Sequence, residues 1–275
     1  MESMVVSDLD GTLFSSDCRV SRTNMDTLKR LGEDKIFRII ATGRSLYSAM
    51  KVLPEDFPID FLIFSSGAGC IEWKTKEILF RHSLGREKIL EIFQLLTEYN
   101  MDFMIHDPVP DNHWFYHFHS GGINPDFWRR VEVYKPFSRK GDPESFRLNE
   151  ACQFLAVFPA GSEENCITLI QAALSGCNVI RTTSPLDGES LWVEIFPFHV
   201  SKSAAAGYLA EVFHIDPAGI LTVGNDYNDV QLLSWGSPGI VVDNAPESLK
   251  SQFTAVSSND NDGFTEAVLY WESLR

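Results

Sequence analysis

The chain has 275 residues, 44% hydrophobic and 22% charged, enough to bury a sizeable core in one large domain or two ordinary ones. A net charge of −15 opposes binding to a nucleic-acid backbone, and no run of about 18 apolar residues offers a membrane span. The five cysteines (Cys18, Cys70, Cys152, Cys166, Cys177) are scattered and never spaced C-x-x-C, which argues against a disulfide framework or zinc site. Reduced thiols and an N-terminus too quickly acidic for a secretory signal point to the cytoplasm.

Residues 4–8 (MVVSD) form a short apolar run that ends in an acid. Ser21 suits an N-cap for a helix that carries Met25, Leu28 and Leu31 inward. A second apolar run, 36–41 (IFRIIA), precedes a helical pattern through Leu46, Met50 and Leu53 that stops at Pro54. A third run follows at 61–65 (FLIFS). Near the C-terminus, Ser201 or Ser203 starts a helix through Ala205, Leu209 and Val212, and further runs stand at 220–223 (ILTV) and 239–242 (GIVV). Short apolar runs bounded by Gly, Ser or Asp read as strands buried on both faces of a parallel sheet. Their alternation with helices predicts a doubly wound α/β layer.

The middle of the chain has a different rhythm. A helix over 86–99 (Ile89, Leu90, Phe93, Leu96) is followed by strand-like segments at 102–106, 113–119, 153–158, 177–182 and 190–195, with another helix near 163–174. Residues 107–150 read as irregular, aromatic and rich in Pro and Gly. The expectation is an α+β domain over 85–187 inserted into an α/β domain of residues 1–84 and 188–275.

The first chemical signal is Asp8-Leu9-Asp10-Gly11-Thr12. It sits at the C-terminal end of a predicted buried strand, where open α/β sheets bind ligands. Carboxylates two residues apart share one face of an extended chain, so one can attack phosphorus while the other handles the proton of the leaving oxygen. Gly11 lets backbone amides close on an anion. Ala41-Thr42-Gly43-Arg44 follows the next predicted strand, His199-Val200-Ser201-Lys202-Ser203 precedes a helix, and Val223-Gly224-Asn225-Asp226-Tyr227-Asn228-Asp229 follows another strand.

In this order the four segments resemble the motifs of the haloacid dehalogenase superfamily phosphatases, in particular the Cof-type branch. The inserted region resembles that branch's C2B-type cap by position and size. The resemblance implies a Rossmann-like parallel-sheet core carrying the cap. It implies hydrolysis of a small phosphomonoester, with sugar phosphates the broad expectation, through an aspartyl-phosphate. Asp8 is then the nucleophile and Asp10 the general acid and base. Thr42 would hydrogen-bond a phosphate oxygen, and Lys202 would neutralise phosphate and hold Asp8 ionised. The Leu9 and Gly11 backbone, Gly43, Arg44 and Asn228 would line the phosphate, although Arg44 suits a structural salt bridge equally well.

Hard oxygen donors without His or Cys favour Mg²⁺ as the cofactor, and the resemblance implies that Asp8, Asp10 (through its backbone carbonyl), Asn225 and Asp229 hold it, with Asp226 in reserve. The resembled motif has the form Gly-Asp-x-x-Asn-Asp, and with Asn225 at its first Asp this chain supplies one negative charge fewer. A second departure is Ser65-Ser66-Gly67-Ala68, where relatives commonly read Asn-Gly-Ala.

His113, Phe115, His117 and His119 would share one face of a strand, facing either substrate or solvent. The chain has no P-loop, dinucleotide fingerprint or nucleophile elbow. The alternatives are a phosphomutase using the same Asp pair, or a degenerate member that binds a phosphorylated ligand without turnover. The expected partner is a small phosphorylated metabolite, with no nucleic acid and no membrane. Oligomeric state leaves no mark in the sequence.

Overall fold

A computed structural model describes residues 3–142, 147–161 and 165–275. They divide into two compact units, one made of residues 1–44, 48–80 and 201–275, the other of 45–47 and 81–200.

In the first unit, eight strands among the described residues form one sheet. Its order is Thr254–Val256, Gly239–Val242, Ile220–Gly224, Ser3–Ser7, Ile36–Ala41, Phe61–Phe64, Gly69–Glu72, Ile78–Arg81. The first six run parallel, and Gly69–Glu72 turns back antiparallel on Phe61–Phe64. The Ser3–Ser7 strand is buried along its whole length, because helices cover both faces of a parallel sheet. On one face Ala205, Ala206, Leu209 and Ala210 of helix Lys202–Val212 pack on Met4, Val6, Ile39, Ala41 and Ile63. Each fully buried Val, Leu or Ile there contributes about 1.5–3 kcal/mol of burial.

Ser21 caps helix Arg22–Glu33 by accepting from Asn24 N at 3.0 Å. The buried face of that helix carries Asn24, Thr27, Leu28 and Leu31, while Met25 is only half-buried. Polar residues reach this face because they find partners on helix Gly263–Ser273: Thr27 Oγ1 lies 2.9 Å from Thr265 Oγ1, and Thr265 donates to Asn24 Oδ1. The helix before Pro54 is short, Leu46–Met50. It buries Ser48 and Ala49 and exposes Met50.

The second unit contains a six-stranded sheet in the order Cys177–Thr183, Leu191–Pro197, Gln153–Phe158, Asp102–His106, Phe115–Phe118, Ser138–Lys140. Its pairs are antiparallel except the last, which is parallel. One face packs Phe103, Ile105, Phe154 and Val193 on residues of helix Arg86–Glu98 such as Ile89, Ile92 and Leu96. The other packs Met104, Phe115, Leu155 and Trp192 around Phe127.

Four expectations need correcting here. The unit extends to Val200 rather than 187, because Leu191–Pro197 pairs inside this sheet between Gln153–Phe158 and Cys177–Thr183. The stretch 107–150 is not wholly irregular: it holds helix Pro125–Val133, capped by Asn124 with Pro at its first position, and strand Ser138–Lys140. Leu90 and Val212, which belong to the apolar patterns read for their helices, are exposed rather than part of a buried stripe. The 113–119 strand is trimmed to Phe115–Phe118, and its histidines have separate partners. His113 stacks on Tyr47, His117 Nδ1 meets Ser138 Oγ at 2.8 Å, and His119 Nδ1 meets the buried Asp102 at 2.9 Å.

Candidate active site

Neighbouring parallel strands of the first unit each end in a polar residue. Asp8 follows Ser3–Ser7, Thr42 follows Ile36–Ala41, Ser65 follows Phe61–Phe64 and Asn225 follows Ile220–Gly224. The strand ends therefore gather sequence-distant side chains on one rim of the sheet, the rim at which open α/β sheets bind ligands.

Asp8 is fixed by its amide, which donates to Val223 O at 2.9 Å. The chain then makes a wide turn in which Phe14 N donates to Leu9 O at 2.8 Å and Gly11 has φ +74°. Gly11 is required on two counts: its backbone is left-handed, and a Cβ would come within 2.6 Å of the Asn225 amide nitrogen. Thr12 Oγ1 donates to Asn225 Oδ1 at 3.0 Å, tying the two loops together. The Leu9 side chain is buried in the core, so only its backbone faces the turn's chemistry.

Lys202 is the first residue of helix Lys202–Val212, behind the N-cap Ser201, which accepts from Ala204 N at 3.0 Å. A cation at a helix N-terminus is unfavourable, and two carboxylates offset it. Lys202 Nζ donates to Asp8 Oδ1 and to Asp229 Oδ1, each at 2.6 Å. All three side chains are buried. Burial first, opposed by Lys202 and reinforced by Asp229 and Asp10, pushes the Asp8 carboxyl up to about 7. Burial alone would lower the Lys202 ammonium, but the two carboxylates outweigh it and hold Lys202 above the ordinary lysine range.

Asp10 faces a different partner. Arg44 Nε and a terminal guanidinium nitrogen donate to its two oxygens at 2.7 and 2.6 Å, a bidentate pair. The Arg44 amide donates to Thr42 Oγ1 at 3.1 Å, so the buried Thr42 hydroxyl keeps its own hydrogen to donate. A Cβ on Gly43 would lie 3.6 Å from Ser66 Oγ and 3.9 Å from Asn228 Nδ2, which puts all three on the same loop cluster.

The oxygen donors expected to hold a cation do not all have the same freedom. Asp229, expected as a ligand or its support, is fully engaged: Oδ1 accepts from Lys202, and Oδ2 accepts from Asn225 N at 2.9 Å and Asp226 N at 3.2 Å. Its geometry is that of the support. The Asp226 side chain caps the Tyr227–Asp229 turn by accepting from the Asp229 amide. Asp8, the Asp10 carbonyl and Asn225 Oδ1 are the other hard oxygen donors. Although Asp8 Oδ1 accepts from Lys202 and Asn225 Oδ1 from Thr12, each side chain keeps lone pairs, so the set fits Mg²⁺ in chemistry. One contributor escapes the sequence, and the segment Ser65-Ser66-Gly67 takes a conformation that its serines do not mark. Asn244 donates to Gly11 O at 2.8 Å, and its position just past strand Gly239–Val242 is the signal that could have found it. Ser65, Ser66 and Gly67 all adopt positive φ, and Gly67 backs directly on Ser201 O.

The family model of the haloacid dehalogenase-like hydrolases matches residues 5–268. A Bacillus subtilis protein named 5-amino-6-(5-phospho-D-ribitylamino)uracil phosphatase YwtE is 26% identical over 277 residues, covering 93% of each chain. A Bacteroides thetaiotaomicron phosphatase of the haloalkanoate enzyme superfamily is similar in structure, with a TM-score of 0.80 at 21% identity over 99% of this chain and 96% of the other. A structure described as a subclass IIB sugar phosphatase of the superfamily gives 0.75 at 16% identity, over 98% and 99%.

Proposed function

Because this chain belongs to the haloacid dehalogenase-like hydrolases, in their Cof-type phosphatase branch, we propose that it hydrolyses a small phosphomonoester through an aspartyl-phosphate on Asp8. The observation that carries the reading is Asp8 itself: a buried carboxylate at a strand end, held by Lys202 at 2.6 Å, with a second carboxylate two residues on. Lys202 fixes one Asp8 oxygen and directs the other at phosphorus, and its charge opposes the repulsion between two anions. Thr42, with its hydroxyl hydrogen available, donates to a phosphoryl oxygen. Asp10 gives a proton to the departing oxygen and later takes one from the attacking water. The acyl phosphate splits one hard displacement into two easier ones.

Asp8, the Asp10 carbonyl and Asn225 would hold Mg²⁺, which would neutralise charge on the transferring group when bound. The substrate class is a phosphorylated sugar or sugar alcohol, supported by the relatives described as acting on a phosphoribityl compound and on sugar phosphates.

Purified protein is expected to cleave p-nitrophenyl phosphate in Mg²⁺, to lose activity with EDTA and to be inactive as Asp8→Asn. Full activity in that variant would remove Asp8 from the chemistry. A panel of phosphorylated sugars and sugar alcohols then identifies the substrate by its kcat/KM.

A further inference from the structure

The two acids of the first loop are held very differently. Asp8 sits in a buried triad with Lys202 and Asp229, whereas the Arg44–Asp10 pair is partly open, its side chains 25% and 41% exposed. An ion pair in that position is screened by solvent, but its bidentate geometry is strong, so only a ligand that offers the fork an equally good edge displaces it. A carboxylate whose two oxygens both accept from one guanidinium keeps lone pairs only on its outer edges and is held in one orientation, which competes with the proton work that the reading above assigns to Asp10.

Arg44 is also built into the oxyanion side of the site. Its amide orients Thr42, and its carbonyl accepts from Ser65 N at 2.8 Å, so the residue is anchored by its backbone while its side chain reaches across to Asp10. A phosphoryl group presents the same two-oxygen edge as a carboxylate and carries more charge, so it competes well for a guanidinium fork. Lys202, locked between two buried carboxylates, is poorly suited to changing partners.

We propose that Arg44 exchanges partners: its guanidinium leaves the Asp10 carboxylate for the substrate's phosphoryl group, so that phosphate binding itself frees Asp10. Arg44 is thus a specificity residue for phosphate and a positioning residue for Asp10. No covalent bond changes in this step; one ion pair replaces another. The inference rests on the hydrolase reading for the identity of the ligand.

The test is a double-mutant cycle read by calorimetric binding of inorganic phosphate to the whole protein in Mg²⁺ buffer. Asp10→Asn removes the competitor for Arg44 and is expected to tighten phosphate severalfold. Arg44→Ala is expected to weaken it about tenfold, with partial recovery in Arg44→Lys, which keeps the charge but not the fork. In the Arg44→Ala background, Asp10→Asn should have little further effect, because the competition is already gone. Equal tightening in both backgrounds would show general charge repulsion and overturn the exchange. Unchanged affinity in Arg44→Ala, or no phosphate binding by any of the proteins, overturns it too. Turnover of p-nitrophenyl phosphate by the unmodified protein then says independently whether the hydrolase reading stands.

Discussion

Lys202 and Asp229 share a hydrogen bond of 2.6 Å between groups that are 2% and 0% exposed, so the ammonium is held by a second carboxylate besides Asp8. Asp229 also accepts from the amides of Asn225 and Asp226, which makes it the joint between the lysine helix and the loop after strand Ile220–Gly224. Removing one partner of a buried pair strands the other, at about 3–5 kcal/mol. Lys202→Met is expected to cost at least as much as Asp229→Asn, since it leaves Asp8 and Asp229 facing one another uncompensated. The double variant should recover part of the loss, a coupling of about 1–3 kcal/mol in urea unfolding. Strict additivity would mean the two side chains do not stabilise each other.

Asn225→Asp adds a carboxylate to a loop already joined to Thr12 and lying against Gly11. The added charge is expected to tighten Mg²⁺ severalfold by titration calorimetry. It should also lower stability in EDTA, because a further anion joins Asp8, Asp10 and Asp229. Should Mg²⁺ affinity stay the same while Asp226→Ala abolishes it, the ligand is the next residue along.

Gly67 has φ +105°, and a Cβ there would lie 2.2 Å from Ser201 O, a backbone atom just before Lys202. Gly67→Ala therefore has to push the loop after strand Phe61–Phe64 away from the helix start that carries the lysine. Gly121, at φ +98° with open space around it, is the control for backbone strain alone. Gly121→Ala should cost about 1 kcal/mol. Gly67→Ala should cost clearly more and also lower kcat, whereas equal losses in melting temperature would mean the contact with Ser201 relaxes freely.

The sequence shows some of this architecture directly. The apolar runs ending at Asp8, Thr42, Ser65 and Asn225 are legible because a strand buried on both faces needs little more than its own composition to declare itself. Ser201 is legible as a cap for a similarly local reason. What stays hidden is non-local. Nothing in LWVEIFP says which sheet Leu191–Pro197 joins, so the inserted unit looked shorter than it is. The helix after Asn124 hides behind the glycines at 121 and 122, which suggest a loop. The Arg44–Asp10 pair spans 34 positions with no periodicity linking them. The left-handed turns at Ser65 and Ser66 have no compositional mark, since serine rarely adopts that conformation.

His106 gives the second unit a defined weakness to acid. It is buried on strand Asp102–His106, and its Nδ1 donates to Asn112 O at 2.8 Å, because a carbonyl can only accept. Its Nε2 is buried with no hydrogen-bond partner, so a proton there would have no acceptor. Burial first, then the Arg130 guanidinium, push the imidazole down to about 3 from its ordinary 6.5. Between those values the unfolded chain binds the proton and the folded one does not, so stability is fully present above pH 6.5 and drains away as pH falls toward 3. The whole window is worth several kcal/mol at most. His106→Asn keeps a donor near Asn112 O and cannot titrate. Its urea midpoint should change less than that of the unmodified protein between neutral pH and about pH 4.5. Parallel declines in the two proteins would place the acid sensitivity elsewhere.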